Sequence, residues 1–280
     1  MAALKGVFEG GGIKGIGLVR ALTRVEEKGI RFNGVAGTSA GSIVAALYAA
    51  GYTAQELKRI LTELDFSQLL DPSWPKFYDL WNHYGIYKGK KLHGWIYELS
   101  RNKGVVKFRD FPHNMDLQIV ASNLAKKKRP WFSIHLPTQR WTSLKLFVCL
   151  SGSRCFLKDA IGGNTVVVDG GIVSNYPLWL FRDSRVPIIG FKLVSAEESR
   201  MPHPPTSLVG YLSVLLGTMM DAHDKEDEKN EWWANTIHVN PGHIPAPQFS
   251  LTPGEKAFLF NSGYFAATQF LDDRGKHLSE

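Results

Sequence analysis

The first fifty residues show the same pattern twice: an apolar run, a glycine-rich turn and then a stretch with helical patterning. The apolar runs 4–9 and 31–36 predict buried strands, and the stretches 15–28 and 39–50 predict helices. This order of strand, loop, helix and strand is typical of parallel strands that are joined by right-handed crossovers. We therefore predict an α/β protein, a three-layer α/β/α sandwich with a mainly parallel central sheet, in which both glycine turns lie at the carboxyl edge.

The rest of the chain continues to alternate between strand and helix signals. Further strands are predicted at 116–121, 165–168 and 186–193, and helices at 54–64, 92–101, 208–223 and 253–271. A chain of 280 residues is long enough for one large α/β domain with a proper core. We expect a single domain over residues 1–280.

The first glycine turn, GGGIKG at residues 10–15, fits two kinds of site. Its glycines match the dinucleotide-binding fingerprint GxGxxG, which expects an acidic residue about 20 residues further on, at the end of the second strand. Residues 35–37 stand there and read Val-Ala-Gly, so the carboxylate is missing. The loop also suits an oxyanion hole, because the backbone N–H groups of residues without side chains can turn toward one point and a helix N-terminus adds positive potential. We favour an oxyanion hole at Gly10, Gly11 and Gly12.

The second glycine turn, GTSAGS at residues 37–42, contains the GxSxG pattern of a serine nucleophile. Small residues on both sides of the serine let a strand and a helix meet around a strained, exposed hydroxyl. The pattern predicts Ser39 as the nucleophile. A serine ahead of an apolar helix is also a common N-cap, and both Ser39 and Ser42 fit that structural role.

A serine nucleophile needs a base, and the sequence offers two kinds. Asp169 follows the predicted strand 165–168 and precedes two glycines, which leaves a carboxylate at a sheet edge where the backbone folds closely. The alternative is a Ser-Asp-His triad with one of the downstream histidines. These are His203, His223, His238 and His243. We favour Asp169, because no histidine stands in a glycine-rich turn and Ser39 follows only the second strand; an aspartate before glycines is also a common turn residue.

In this order, GGGIKG, GTSAGS and the Asp-Gly-Gly at 169–171 resemble the motifs of the patatin-like phospholipase family, especially its bacterial members. The stretches FEGGGIKGIGLV, IYKGKKLHGWI, VVVDGGIVSNYPLWLF and FSLTPGEKAFLFNSGYFAATQFL look like that family too. The resemblance implies a patatin-like fold with Ser39 as nucleophile, Asp169 as its partner in a dyad without histidine, and Gly10 to Gly12 as the oxyanion loop. Further residues that match the motifs are Lys14, Gly15, Gly37, Gly41, Gly170 and Gly171.

The resemblance also implies the chemistry: a serine hydrolase of phospholipids or other acyl lipids, with an acyl-enzyme intermediate and no metal or other cofactor. A carboxylate in water is a weak base toward a serine hydroxyl, so Asp169 must be partly desolvated and its pKa raised. We predict that Asp169 is half-buried and hydrogen-bonded to Ser39.

The charge of the chain favours anionic partners. The 33 basic and 26 acidic residues give a net charge of +7, which suits phospholipid surfaces or nucleic acid. Basic clusters occur at Lys88, Lys90 and Lys91 and at 126–129 beside Trp131. They suit peripheral contact with anionic headgroups, although such clusters are often only solvated loops. No nucleic-acid-binding module is recognisable, so we predict no nucleic-acid partner. The oligomeric state stays open.

The sequence carries no recognisable targeting or membrane-spanning segment. Its first apolar run is too short for a signal peptide. The most apolar later stretch, 208–220, is shorter than the roughly 18 residues of a spanning helix and is interrupted by small polar residues. Cys149 and Cys155 are too few for a disulfide framework. We expect a cytoplasmic or peripheral membrane protein; secretion by a route without a signal peptide stays open.

One segment departs from the family pattern. Such proteins carry a stretch resembling A-x-x-x-S-x-x-I-P before the aspartate, whereas residues 146–158 read LFVCLSGSRCFLK. Arg154 and Cys155 stand where an apolar residue and a proline are expected. A compensated frameshift in the source gene is one explanation. The departure keeps an alternative open, namely a catalytically impaired lipid-binding or interaction protein on the same fold.

Overall fold

The computed structural model describes residues 4–69, 90–123, 131–135, 155–156, 166–172, 174–182, 184, 186–194, 231–244, 248 and 250–277. Within these ranges the strands are β1 (Lys5–Phe8), β2 (Gly34–Thr38), β3 (Asp116–Asn123), β4 (Trp131–His135), β5 (Cys155–Phe156), β6 (Val166–Asp169), β7 (Ile188–Leu193) and β8 (Thr236–Val239). The α-helices are α1 (Ile16–Glu27), α2 (Ala40–Ala49), α3 (Ala54–Glu63), α4 (Lys90–Asn102) and α5 (Pro253–His277). Short 3₁₀ helices include Gly12–Gly15, Gly170–Ile172 and Leu178–Phe181.

A parallel sheet with the strand order β3-β2-β1-β7-β8 forms the centre of the fold. Strands β4 and β6 run antiparallel to β3, and β5 runs antiparallel to β6. The middle strand, β1, is buried along its whole length because a neighbour pairs with it on each side. The predicted α/β class with a mainly parallel sheet is therefore confirmed.

Each face of the sheet has its own hydrophobic core. Phe8 and Phe191 stack on one face with ring centroids 4.7 Å apart, and there they pack against α1, α2, α3 and α5. Val7 points to the opposite face, where it packs with the 3₁₀ helix Leu178–Phe181 and the adjacent Tyr176. The alternation of side chains along β1 thus separates a helical layer from the layer on the other side of the sheet.

Parallel pairing brings both glycine turns to one edge of the sheet. Phe8 at the end of β1 pairs with Gly37 near the end of β2. The loop after β1 and the turn after β2 therefore leave the sheet side by side at its carboxyl edge, which confirms their predicted proximity.

Strands β2 and β6 follow one another along the same side of β3. Val120 of β3 pairs with Thr38 of β2 and also with β4. The next residue, Ala121, pairs with Asp169 of β6 and again with β4. Because β4 occupies one side of β3 at both positions, β2 and β6 share the other side. Asp169, the last residue of β6, consequently lies beside the end of β2, although β6 runs in the opposite direction.

Some elements differ from the sequence prediction. Strands β4, β5 and β8 are not among the predicted ones; β5 and β8 have only two and four residues, too few for a periodic signal. β2 begins at Gly34 instead of residue 31, because β1 begins at Lys5 and pairs first with Gly34. The last helix extends beyond 271, to His277. Outside the described residues lie the predicted helix 208–223, the basic cluster 126–129, Lys88, Cys149 and most of 146–158.

Candidate active site

Ser39 occupies the sharp turn between β2 and α2. Its backbone has φ +50° and ψ −126°, and it is the one non-glycine residue with positive φ in the described part of the chain. This strained conformation is the one that a strand-to-helix turn uses to present a nucleophile. The Ser39 side chain caps no N–H group of α2, and Ser42 donates its hydroxyl to the carbonyl of Ser39. The N-cap alternative therefore does not explain this serine.

Two glycines let the Ser39 turn pack directly on β1. A Cβ atom at Gly41 would overlap the carbonyl oxygens of Phe8 and Glu9, and a Cβ atom at Gly37 would overlap the carbonyl oxygen of Gly41. Only residues without a side chain allow this backbone contact. The contact holds the start of α2 against the end of β1, where the first glycine loop begins.

Asp169 meets Ser39 at this edge, as predicted. The Ser39 side chain lies close enough to the Asp169 carboxyl group to influence its pKa, and the N–H of Gly171 donates to Asp169 Oδ1 at 2.8 Å. Asp169 is half-buried. Burial raises the pKa of its carboxyl group to about 6, although the N–H of Gly171 and the Ser39 side chain act to lower that pKa. The group is thus mostly ionised at neutral pH and binds a proton more tightly than an ordinary aspartate does.

The glycine loop after β1 lies beside the serine. A Cβ atom at Gly10 would be 3.0 Å from the Cβ of Ser39. Gly12 has φ +56°, a backbone conformation that favours glycine. The N–H of Gly10 donates to the carbonyl of Asn175 at 3.0 Å, which corrects the expectation that all three glycines offer a donor. The N–H groups of Gly11 and Gly12 have no acceptor among the described residues, so these two remain as candidate oxyanion donors.

The other motif residues surround this point. Lys14 is partly buried in the turn that follows the loop, and Gly15 faces Ala40 at an ordinary contact distance, 3.7 Å between a Cβ built on Gly15 and the Cβ of Ala40. Gly170 packs so closely on the backbone of Val120 that a Cβ atom would overlap its carbonyl oxygen. The two glycine turns and the Asp-Gly-Gly turn thus form one continuous site.

Comparison with known proteins agrees with this arrangement. A family model described as patatin-like phospholipase matches residues 6–182, which include both glycine turns and Asp169. The chain belongs to the patatin-like phospholipase family. An uncharacterised protein of Bacillus subtilis, YqhO, is 33% identical over 96% of this chain and 98% of its own length. Lysophospholipase NTE1 of Candida albicans is 27% identical over 61% of this chain but only 12% of its own length.

A solved structure shows the same fold. The patatin-like chain matches VipD from Legionella pneumophila with a TM-score of 0.59 at 17% identity, and the match covers 97% of this chain and 67% of that one. At this identity the likeness concerns the fold alone. Family and relatives together support a lipid hydrolase activity for the chain.

Neither His238 nor His243 lies at the serine and aspartate of this patatin-like site. His238 lies on β8, three strands away from β2, and its ring is 4.1 Å from that of Trp233. His243 is exposed in the loop after β8. The influences on the pKa of Asp169 are burial, Gly171 and Ser39, and no histidine is among them. His203 and His223 lie outside the described residues.

Three polar residues behind the glycine loop were not predicted from the sequence. Lys192 Nζ and Glu9 Oε1 form an ion pair at 2.8 Å, and each side chain is only 2% exposed. Asn175 Nδ2 donates to the same Glu9 oxygen at 3.2 Å. A signal for Lys192 existed: it is a charged residue inside the apolar strand IIGFKL, and a buried charge in such a strand requires a partner.

The remaining features concern metals and membranes. In the described ranges, no three histidine, cysteine, aspartate or glutamate side chains come together as metal ligands would. None of the helices in those ranges is long and apolar enough to cross a bilayer.

Proposed function

We propose that the chain is a serine lipid acyl hydrolase that cleaves carboxylic ester bonds of phospholipids or other acyl lipids through a Ser39–Asp169 dyad. The observation that carries the proposal is the position of a serine with a strained backbone beside a half-buried carboxyl group whose pKa is raised. Family membership supports the reaction class, and the lysophospholipase in the name of one relative supports an acyl lipid as substrate.

In the first step, Ser39 Oγ attacks the ester carbonyl carbon while Asp169 accepts the hydroxyl proton. The raised pKa of Asp169, about 6, makes it a better proton acceptor than an ordinary aspartate while leaving it ionised at neutral pH. The carbonyl oxygen becomes negatively charged in the tetrahedral intermediate. Gly11 and Gly12 donate their N–H groups to that oxygen, and such donors typically contribute more to the transition state than to the ground state.

The alcohol or lysophospholipid then leaves with the proton that Asp169 returns, and Ser39 keeps the acyl group. In the second step, Asp169 takes a proton from water, which attacks the acyl ester; the bond to Ser39 Oγ then breaks, Asp169 returns the proton to Ser39 Oγ, and the fatty acid is released. The N-terminus of α2 begins at Ser39 and adds positive potential to both tetrahedral intermediates. Lys14, next to the glycine loop, adds to the same potential.

Contact with an anionic lipid surface is part of the proposal. Lys90 and Lys91 are exposed at the start of α4, and the chain carries a net charge of +7. Exposed lysines near a headgroup layer are attracted by its negative surface potential, and salt screens this attraction. We therefore expect hydrolysis of anionic vesicles to fall with rising salt more steeply than hydrolysis of a soluble ester.

The test is hydrolysis of phosphatidylglycerol vesicles and of p-nitrophenyl butyrate by the wild type and three variants. Ser39→Ala and Asp169→Asn should each lower kcat/KM by about 10³-fold or more, because each removes one member of the dyad. His238→Ala should keep full activity. Loss of activity in His238→Ala would restore the triad alternative, and a wild type that binds vesicles without hydrolysing either ester would favour the catalytically impaired lipid-binding alternative.

A further inference from the structure

A buried ion pair stands directly behind the glycine loop. Glu9 is the residue before Gly10, and its carboxylate accepts hydrogen bonds from Lys192 Nζ at 2.8 Å and from the backbone N–H of Leu193. The ammonium group of Lys192 also lies over the ring of Tyr176, 5.0 Å from its centroid. Removing two charges from water is costly, and apolar residues of similar size usually serve stability as well or better. We therefore expect the ion pair to have a role other than stabilising the fold.

Asn175 connects this ion pair to the loop. Its Nδ2 donates to Glu9 Oε1 at 3.2 Å and to the carbonyl of Gly10 at 3.1 Å, and its backbone carbonyl accepts the N–H of Gly10 at 3.0 Å. Gly10 is thus held through both its N–H and its carbonyl group by one residue. Because the Glu9 carboxylate and the Gly10 carbonyl are both acceptors, the NH₂ group of the Asn175 side chain must face them. The Glu9 carboxylate thereby fixes the orientation of the side chain that holds Gly10.

A second connection reaches the next glycine. The Glu9 carboxylate accepts the N–H of Leu193, and the Leu193 side chain packs on Gly11 so closely that a Cβ atom at Gly11 would overlap it. One carboxylate therefore fixes the partners of both Gly10 and Gly11. The direction of the Gly11 and Gly12 N–H groups depends on these contacts, because the loop has no side chains of its own to anchor it.

We propose that Glu9, Lys192 and Asn175 are positioning residues that hold the loop Gly10–Gly12 in the geometry that receives the oxyanion. This inference rests on the proposed hydrolase function. The three residues do not touch the reacting atoms. They act through the backbone of the loop, and a loop that is displaced by about 1 Å loses catalysis by about 10²-fold while substrate binding is largely kept.

The chain offers a closely matched control at the other end of β1. Lys5 forms an ion pair with Asp116 at 3.0 Å, and its ammonium group lies 5.2 Å from the ring centroid of Phe181. Lys5 and Lys192 therefore have the same two kinds of partner, a carboxylate and an aromatic ring. Lys5 lies at the amino edge of the sheet, at the opposite end of the strand from the glycine loop.

The experiment compares Lys192→Met and Asn175→Asp with Lys5→Met. Hydrolysis of p-nitrophenyl butyrate gives kcat and KM, and complete labelling with a fluorophosphonate counts the competent sites, so that kcat is expressed per active site. Both lysine variants should lower the Tm. Only Lys192→Met and Asn175→Asp should lower kcat per site, by about 10-fold or more, with KM unchanged and the rate of fluorophosphonate labelling reduced in parallel. Lys192→Arg, which keeps the charge, should recover part of the loss.

The outcomes separate the two proposals. If the wild type neither hydrolyses the ester nor reacts with the fluorophosphonate, the proposed function is wrong and this inference falls with it. If the wild type is active and Lys192→Met matches Lys5→Met in kcat per site, the ion pair is merely structural and the inference alone is wrong. Should Lys192→Met fail to fold, Asn175→Asp decides, because it has nearly the same shape and replaces the donor to Glu9 and Gly10 by a carboxylate oxygen that both acceptors repel.

Discussion

Two opposing effects act on the pKa of Asp169, and its value of about 6 reflects both. Burial favours the neutral acid, whereas the hydrogen bond from Gly171 and the neighbouring Ser39 side chain favour the carboxylate. A fully solvated aspartate would be too weak a base for a serine hydroxyl. A carboxyl group without these two neighbours would have a still higher pKa, so a smaller fraction of it would be ionised and able to accept a proton at neutral pH.

The pH dependence of catalysis follows from this pKa. Because Asp169 must be ionised to accept the Ser39 proton, kcat/KM should rise with pH, pass its midpoint near 6 and level off above about 7. The measurement is kcat/KM for a neutral soluble ester between pH 4 and 9, with stability checked at each pH. A midpoint near the ordinary value of aspartate, or one that shifts in His238→Ala, would contradict the assigned base.

The same pKa predicts how Asp169 affects stability. A carboxyl group whose folded-state pKa is raised stabilises the fold below its unfolded pKa, and this stability is lost as the pH rises through the folded-state pKa. The rise from 3.8 to about 6 corresponds to about 3 kcal/mol. The Asp169→Asn variant lacks this titration. The difference in free energy of unfolding, variant minus wild type, should therefore be about 3 kcal/mol larger at pH 7 than at pH 3.5. Urea unfolding of both proteins at both pH values measures this change. If the difference between the two proteins is the same at both pH values, the raised pKa of Asp169 is wrong.

The site as a whole depends on three chain segments that approach one edge of the sheet. Its first two parts could be predicted, because apolar runs and glycine turns mark β1, β2 and α2 locally. The antiparallel direction of β6 could not, since a four-residue apolar strand carries no information about its partner. The pairing of Glu9 with Lys192 was equally hidden: the apolar strand around Lys192 indicates a buried charge, but nothing in the sequence identifies Glu9, 183 positions away, as its partner.

The contact between α2 and β1 gives a test at the level of elements. Gly41→Ala should lower the free energy of unfolding by about 3 kcal/mol, because the added methyl group meets the carbonyl oxygens of Phe8 and Glu9. Gly94→Ala in α4 is the control: a Cβ atom there meets open space, and alanine in a helix should add about 1 kcal/mol of stability. Urea unfolding compares both with the wild type. Equal effects of the two substitutions would show that the close contact at Gly41 is wrong.

The whole molecule extends beyond the part that the family model matches. That match ends at residue 182, yet β8 pairs with β7 and α5 packs on α1, where a Cβ atom at Gly263 would overlap the carbonyl oxygen of Gly17. Ile237 of β8 is fully buried in the same core as Phe8. We therefore propose that residues 1–280 form one domain, as the sequence predicts.

A single domain should unfold in a single transition. Tryptophan fluorescence and esterase activity should be lost at the same urea concentration, and Gly263→Ala should move both midpoints down together, because α5 and the active site share one core. Gly254→Ala, near the start of α5, should lower neither midpoint, since nothing lies closer than 4.0 Å to the added atom. Separate transitions, or a shift in only one of the two signals, would argue for more than one unit.

The central claim is that the Ser39 hydroxyl attacks the ester with Asp169 as its base. Mass spectrometry of the protein after rapid acid quenching, during turnover of a slowly deacylated ester, tests it most directly. The account predicts an acyl group on the peptide that contains Ser39 in the wild type, and none in Asp169→Asn at neutral pH. An acyl group on any other residue, or equally rapid acylation of Ser39 without Asp169, would contradict it.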